Sequence, residues 1–264
     1  MSLPLFHVDA FTDEPFKGNP AAVCPLKSWL DDELLLAVAA ENNLSETAYF
    51  VPEGEQFHLR WFTPRCEVNL CGHATLASAF VLLTILEPQR EVVSFVTRSG
   101  ILIVRREQNL LSMNFPALPL WNCPSPPPEL IEGLGARSQR VSVLQIKDNY
   151  FAVYDSEDDV RNVTPDLRLI EKLHPAGVAV TAPGKQADFV SRYFAPSYGI
   201  PEDPVTGSTH CSLAPYWAQR LGKTSLHARQ VSQRGGELWC ELAGERVVLK
   251  GKAVLTLQGS LLVG

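Results

Sequence analysis

The sequence predicts an α/β (α+β) protein of two pseudo-equivalent halves, each a mostly antiparallel sheet wrapped around one central helix. Three observations carry this expectation. FHLRWFTP from Phe57 and FVSRYFAP from Phe189 share Phe, Arg, Phe and Pro at an offset of 132. Downstream, Gly72 in CGHATLASAF and Gly207 in TGSTHCSLAPYW each open an apolar segment at an offset of 135, so the second copy carries three extra residues. SGILIV from Ser99 and GGELWCEL from Gly235 then both read as a turn and an alternating strand, followed by LLSMNF and RVVLKG. The proline-rich stretch Pro116 to Pro128 reads as an extended connector. It divides the chain into an N-terminal half 1–118, a connector 119–128 and a C-terminal half 129–264.

Strands are expected at FHVDAF, AVC, ETAYFV, FHLRWF, VVSFV, ILIVRR and LLSMNF in the first half. In the second they are expected at RVSVLQI, YFAVYD, GVAVTA, ADFVSRYF, ELWCEL, RVVLKG and AVLTLQG. A helix is expected over Trp29–Glu41, with Ser28 as N-cap, Leu30, Leu34 and Val38 on one face, and Asn42 and Asn43 closing it. The segment after Gly72 is apolar almost all round, which places it inside its sheet, and it must end before Pro88. In the matching segment Pro215 requires a start near Cys211 or a kink, and Gly222 is the natural stop.

Composition narrows the function. Among 264 residues, 45% are hydrophobic and 20% charged, enough for a buried core and against disorder. The net charge of −6, with no Lys/Arg run, excludes the electrostatic footprint of a nucleic-acid binder. No apolar stretch of membrane-spanning length occurs and the start lacks a signal-peptide pattern, so a soluble, cytoplasmic protein is expected. Six cysteines without a CxxC pair read as reduced thiols, mostly buried.

Four blocks carry a resemblance: FHVDAFTDEPFKGNPAAV, ENNLSETAYF, FTPRCEVNLCGHATLASA and IPEDPVTGSTHCSLAPYW. Together they resemble the PhzF family of phenazine-biosynthesis-like isomerases, a branch of the diaminopimelate epimerase fold. The resemblance implies a cofactor-independent, proton-shifting isomerase, a homodimer in a biosynthetic setting, acting on a small carboxylate-bearing metabolite. It implies Glu46 of the SET block as general acid/base, with His73, Asp203 and Ser208 in the matching site positions. The residues themselves are compatible with these roles. Glu46 follows an Asn- and Ser-bearing turn at a strand start, where a loop-borne carboxylate can face a cleft. Gly72 and Gly207 lead helices whose unpaired N–H groups suit a carboxylate. His73 and Asp203 are candidates to hold the substrate or relay a proton.

Each role has a structural alternative. Glu46 reads equally as a turn carboxylate, His73 as a helix-start cap, Asp203 as a turn residue, Ser208 as an N-cap, and Asn19 as turn chemistry beside a site-lining role. A two-thiol racemase would use Cys71, but its counterpart in the second copy is Thr206, whose hydroxyl is too weak an acid. Cys71 therefore reads as a packing residue. A non-catalytic member of the fold that binds a metabolite or a protein is the alternative of another class. A zinc site from Cys71, His73, His210 and Cys211 is disfavoured by two helix dipoles, so no metal is expected. Ser208 and His210 lack a hydrolase elbow, and no glycine-rich nucleotide motif occurs.

Overall fold

The computed structural model describes residues 1–135, 141–147 and 149–263. Two compact units emerge: residues 1–114 with 250–264, and residues 115–249. The C-terminal segment thus joins the first unit rather than the second. Its strand, Ala253–Leu262, pairs antiparallel along the whole of β1 (Ser2–Ala10) and covers an edge that would otherwise expose unpaired backbone.

The first unit continues with β2 (Asn19–Pro25), α1 (Asp32–Asn42), β3 (Glu46–Glu53), β4 (Gln56–Phe62), β5 (Glu67–Val68) and α2 (Gly72–Phe80). After these come β6 (Val92–Thr97), β7 (Gly100–Glu107) and β8 (Leu110–Pro116). Helix α1 starts three residues later than expected because Asp31, not Ser28, is its N-cap, accepting from the Glu33 amide. Asn43 closes it in the left-handed conformation, and the face it buries is Leu35, Val38 and Ala39. The helix α2 is buried from His73 to Ala79 and continues as a π-helical turn, Val81–Leu86, ending before Pro88 as expected. Its buried hydroxyls are satisfied along the helix, Thr75 Oγ1 donating to Cys71 O at 2.6 Å and Ser78 Oγ to Ala74 O at 2.7 Å.

The second unit holds β9 (Trp121–Asn122), α3 (Pro128–Gly133), β10 (Ser142–Ile146), β11 (Asn149–Val153), α4 (Glu157–Asn162) and α5 (Leu167–Glu171). It continues with β12 (Gly177–Pro183), β13 (Phe189–Ala195), β14 (Ile200–Asp203), α6 (Gly207–Leu221), β15 (Ser225–Gln230), β16 (Gly236–Ala243) and β17 (Arg246–Gly251). The proline-rich connector is partly structured: β9 pairs with β10, and Pro128 occupies the first turn of α3. Arg140, the first residue of the expected RVSVLQI strand, lies outside the described residues.

The repeat is visible in strand pairing. In the first unit β2–β3 is parallel, β3–β4 antiparallel, β4–β6 parallel and β6–β7 antiparallel. In the second, β11–β12, β12–β13, β13–β15 and β15–β16 follow the same sequence. The shared arginine explains why the FxxRxF motif recurs. Arg60 forks onto Glu67 at 2.7 and 2.8 Å and lies 5.0 Å over Phe62. Arg192 forks onto Glu202 at 2.7 and 3.0 Å and lies 4.9 Å over Phe194. The acids stand seven and ten positions after their arginines, so the three-residue insertion falls within this segment. In each unit the clamp holds the chain just before the glycine-led helix.

Helix α6 starts at Gly207, not near Cys211, and Pro215 lies inside it. Pro215 lacks the N–H that would bond Cys211 O, and the Leu118 amide takes that carbonyl at 2.9 Å. Gly222 closes the helix at φ +65°.

Candidate active site

In the first unit, three elements deliver polar side chains to one buried spot. Asn19 opens β2, and Gly18 before it is required because a Cβ would lie 2.2 Å from Ala10 O at φ +63°. Glu46 opens β3 opposite Ala21 of β2, after a turn secured by Asn42 Nδ2 donating to Thr47 Oγ1 at 3.1 Å. His73 is the second residue of α2, after the extended N-cap Cys71. All are buried: Asn19 0%, His73 6%, Cys71 7% and Glu46 9% exposed.

The His73 ring is the hub. Its Nε2 lies 3.1 Å from Glu46 Oε2, an ion-pair distance, although Oε2 receives no aligned hydrogen bond. Its Nδ1 is 3.2 Å from Asn19 Nδ2 and 3.5 Å from Cys71 Sγ. With Asn19 donating, Nδ1 accepts and the ring proton sits on Nε2, on the Glu46 side. Protonating the ring adds an Nδ1–H, which the Asn19 oxygen can accept after a half-turn of its amide.

Burial lowers the imidazole pKa, but contact with the Cys71 sulfur and the charge of the nearby Glu46 carboxylate outweigh it and hold His73 well above its ordinary value. Burial first, and the Glu46 charge second, push the Cys71 thiol up to about 11, with His73 opposing. Glu46, Cys71 and His73 are the one cluster of potential metal ligands found among the described residues, their donor atoms within 4.8 Å of one another. A protonated thiol and a ring already turned to Glu46 make this set a proton network first.

In the second unit, Asp203 ends β14, Thr206 is the extended N-cap of α6, and Gly207 is its first helical residue. Ser208 is exposed and does not cap the helix, so its N-cap alternative falls. Neither Cys71 nor Thr206 caps its helix with a side-chain oxygen bonded to the first-turn amides. The His210 Nδ1 donates to Thr206 O at 2.8 Å, the role Thr75 plays for Cys71 O, and Cys211 Sγ is bonded to Gly207 O. Burial drops the His210 pKa to about 4, keeping that ring neutral. His210 and Cys211 thus serve their own helix.

The profile of the PhzC-PhzF family, phenazine biosynthesis-like proteins, matches residues 8–259. The chain belongs to the PhzC/PhzF family. Its PhzC/PhzF relatives match end to end. An uncharacterized isomerase of Pseudomonas aeruginosa is 54% identical, with 99% of each chain covered. A human phenazine biosynthesis-like domain-containing protein is 39% identical, again with 99% of each covered. Among solved structures, a PhzF-family phenazine biosynthesis protein of Enterococcus faecalis superposes with a TM-score of 0.95 at 44% identity over the whole of both chains. A hydroxyproline epimerase of Agrobacterium vitis superposes at 0.61 with 12% identity, covering 98% and 92% of the two chains, a likeness of fold. The epimerase-like fold of this PhzC/PhzF chain is thereby established.

Two outcomes follow from the site's electrostatics. His73 keeps its second proton to a pH above the ordinary imidazole value of about 6.5, and Glu46→Gln lowers that titration; histidine NMR measures both. Because the folded-state value is the raised one, His73 contributes stability that is fully present below pH ~6.5 and is lost as pH rises through its folded value. Denaturation midpoints across that window fall less in Glu46→Gln than in wild type. Thiol reactivity separates the cysteines: exposed Cys66 labels first under native conditions. Cys71 and the buried Cys24 and Cys211, whose thiols burial raises to about 12, label only as the protein opens.

Proposed function

We propose that this chain is a cofactor-independent isomerase that shifts a proton on a small carboxylate-bearing metabolite, with Glu46 as general acid/base. The observation that carries the reading is the buried Glu46 carboxylate, 3.1 Å from the His73 ring, with an oxygen that receives no aligned hydrogen bond among the described residues. Such an oxygen keeps lone-pair capacity for a proton taken from a substrate. The isomerase names of the relatives support the same reaction class.

In the forward step, the Glu46 carboxylate takes a proton from a carbon made acidic by conjugation to the substrate's carboxylate, and the electron pair delocalises into that system. The carboxyl proton on Glu46 exchanges with solvent, and Glu46 then delivers a proton at another carbon. Once neutral, Glu46 no longer holds His73 in an ion pair, and the ring's Nε2–H is free to meet oxygen charge that builds on the substrate. Asn19 orients the ring. The uncapped amides at the start of α2, from Gly72, offer donors for the substrate's carboxylate. Burial and the Glu46 charge push the Cys71 thiol up to about 11, which favours Glu46 over the thiol as the base. In this reading the protein works as a cytoplasmic homodimer.

The test is incubation in heavy water with candidate dihydroaromatic acids and amino acids. Deuterium appears at carbon with wild type and not with Glu46→Gln. Binding of a candidate without exchange by wild type would favour a non-catalytic binding protein.

A further inference from the structure

We infer that Thr206 and Gln230 form a positioning pair that fixes Asp203 as a hydrogen-bond acceptor beside the start of α6. The inference goes beyond the function proposed above. Its physical content can be measured without a substrate.

Gln230, the last residue of β15, is 1% exposed. Its amide is oriented by two backbone groups that allow one choice. The Thr206 N–H can only donate, and it meets Oε1 at 2.8 Å. The Asp203 carbonyl can only accept, and it meets Nε2 at 2.7 Å. The remaining Nε2 hydrogen points to Thr206 Oγ1 at 3.1 Å. The hydroxyl is thereby an acceptor on that side, and its own hydrogen goes to Asp203 Oδ2 at 2.5 Å. In this run of bonds the Thr206 hydroxyl is the donor and Asp203 Oδ2 the accepting oxygen.

The arrangement also explains why threonine stands where the first half has Cys71. A hydroxyl is a strong donor to a carboxylate and a thiol a weak one. Thr206 is therefore committed to orienting Asp203, and the second half presents no acid of its own at the N-cap. The corresponding position in the first unit is used differently: Thr97, at the end of β6 as Gln230 is at the end of β15, donates to Gly100 O at 2.7 Å. Two titratable neighbours of Asp203 have partners of their own. Glu202 is clamped by Arg192, and Tyr193, opposite Asp203 in the β13–β14 pair, donates its hydroxyl to Asn149.

The test is the carboxyl titration of Asp203, followed by ¹³C NMR in the full chain. A hydrogen bond to the charged form lowers a carboxyl pKa, so Thr206→Val raises the Asp203 titration midpoint by about one unit. Thr206→Ser keeps the hydroxyl and restores the wild-type midpoint. Gln230→Leu frees the hydroxyl to rotate and moves the midpoint in the same direction as Thr206→Val, giving a second reading if the valine variant does not fold. Folded Thr206→Val and Gln230→Leu variants whose Asp203 titrates as in wild type would overturn the pairing. The serine control separates positioning from packing, because a fold defect would not follow the presence of one hydroxyl. Failure of the heavy-water exchange in wild type would remove the isomerase reading and leave this result intact.

Discussion

Glu46→Gln lowers the rate of carbon-bound proton exchange by a factor on the order of 10² to 10⁴ while the protein remains folded. The amide has nearly the shape of the carboxyl, so packing around β3 is preserved, but it can neither take a proton from carbon nor return one. The variant also replaces the ion pair to His73 by a neutral contact, so the His73 titration falls at the same time. Glu46→Asp keeps the carboxylate but withdraws it from the ring by one methylene. A misplacement of about 1 Å costs on the order of 10²-fold where geometry is set by rigid elements, so the aspartate variant retains weak exchange. Equal loss in both would point to the position rather than the charge.

The second large effect is on stability. Arg192→Met destabilises the protein by about 3 kcal/mol, measured by denaturant unfolding. The guanidinium forks onto Glu202 and donates to three carbonyls around the end of α4, Val160 at 3.2 Å, Arg161 at 3.3 Å and Val163 at 2.7 Å. Its side chain is 13% exposed, so water cannot replace those bonds in place. Methionine keeps much of the aliphatic contact with Phe194 and isolates the loss of the fork. Removing Glu202 as well, by Glu202→Gln in the Arg192→Met background, costs less than the sum of the single changes, because the stranded carboxylate is neutralised. Glu202 adjoins Asp203, so Arg192→Met also loosens the segment that carries the Asp203 carboxyl.

Much of this architecture is legible in the residues because the repeat is chemical as well as textual. FHLRWF and FVSRYF are each a buried strand with an arginine that needs an acid, and the acid follows at a distance that records the insertion. The segment after Gly72 is apolar all round because sheet surrounds it. Other features depend on contacts that no local pattern announces. Helix α6 tolerates Pro215 because Leu118, far away in sequence, takes the orphaned carbonyl. The strand β15, SLHARQ, has a weak strand signature because its inward positions are Leu226, Ala228 and Gln230, and a buried glutamine breaks the apolar alternation. Asn19 reads as turn chemistry in GNP, yet it is wholly buried against the His73 ring.

At the site, Glu46 and His73 are suggested by the SET and CGHAT blocks, and the structure brings them within 3.1 Å. The Cys71 contact with His73 is less visible, since residues two apart on a helix do not meet. Cys71 precedes the helix in an extended conformation, φ −144°, which turns its thiol back toward the ring. Thr206 and Gln230 carry no signal that a single sequence displays, because their role exists only when β15 returns beside the start of α6.

The decisive measurement is deuterium content at carbon in product formed in heavy water at low conversion, compared among wild type, Glu46→Gln and Cys71→Ala. The account predicts solvent deuterium with wild type and Cys71→Ala and none with Glu46→Gln. Incorporation that survives in Glu46→Gln and disappears in Cys71→Ala would move the chemistry to the thiol and contradict it.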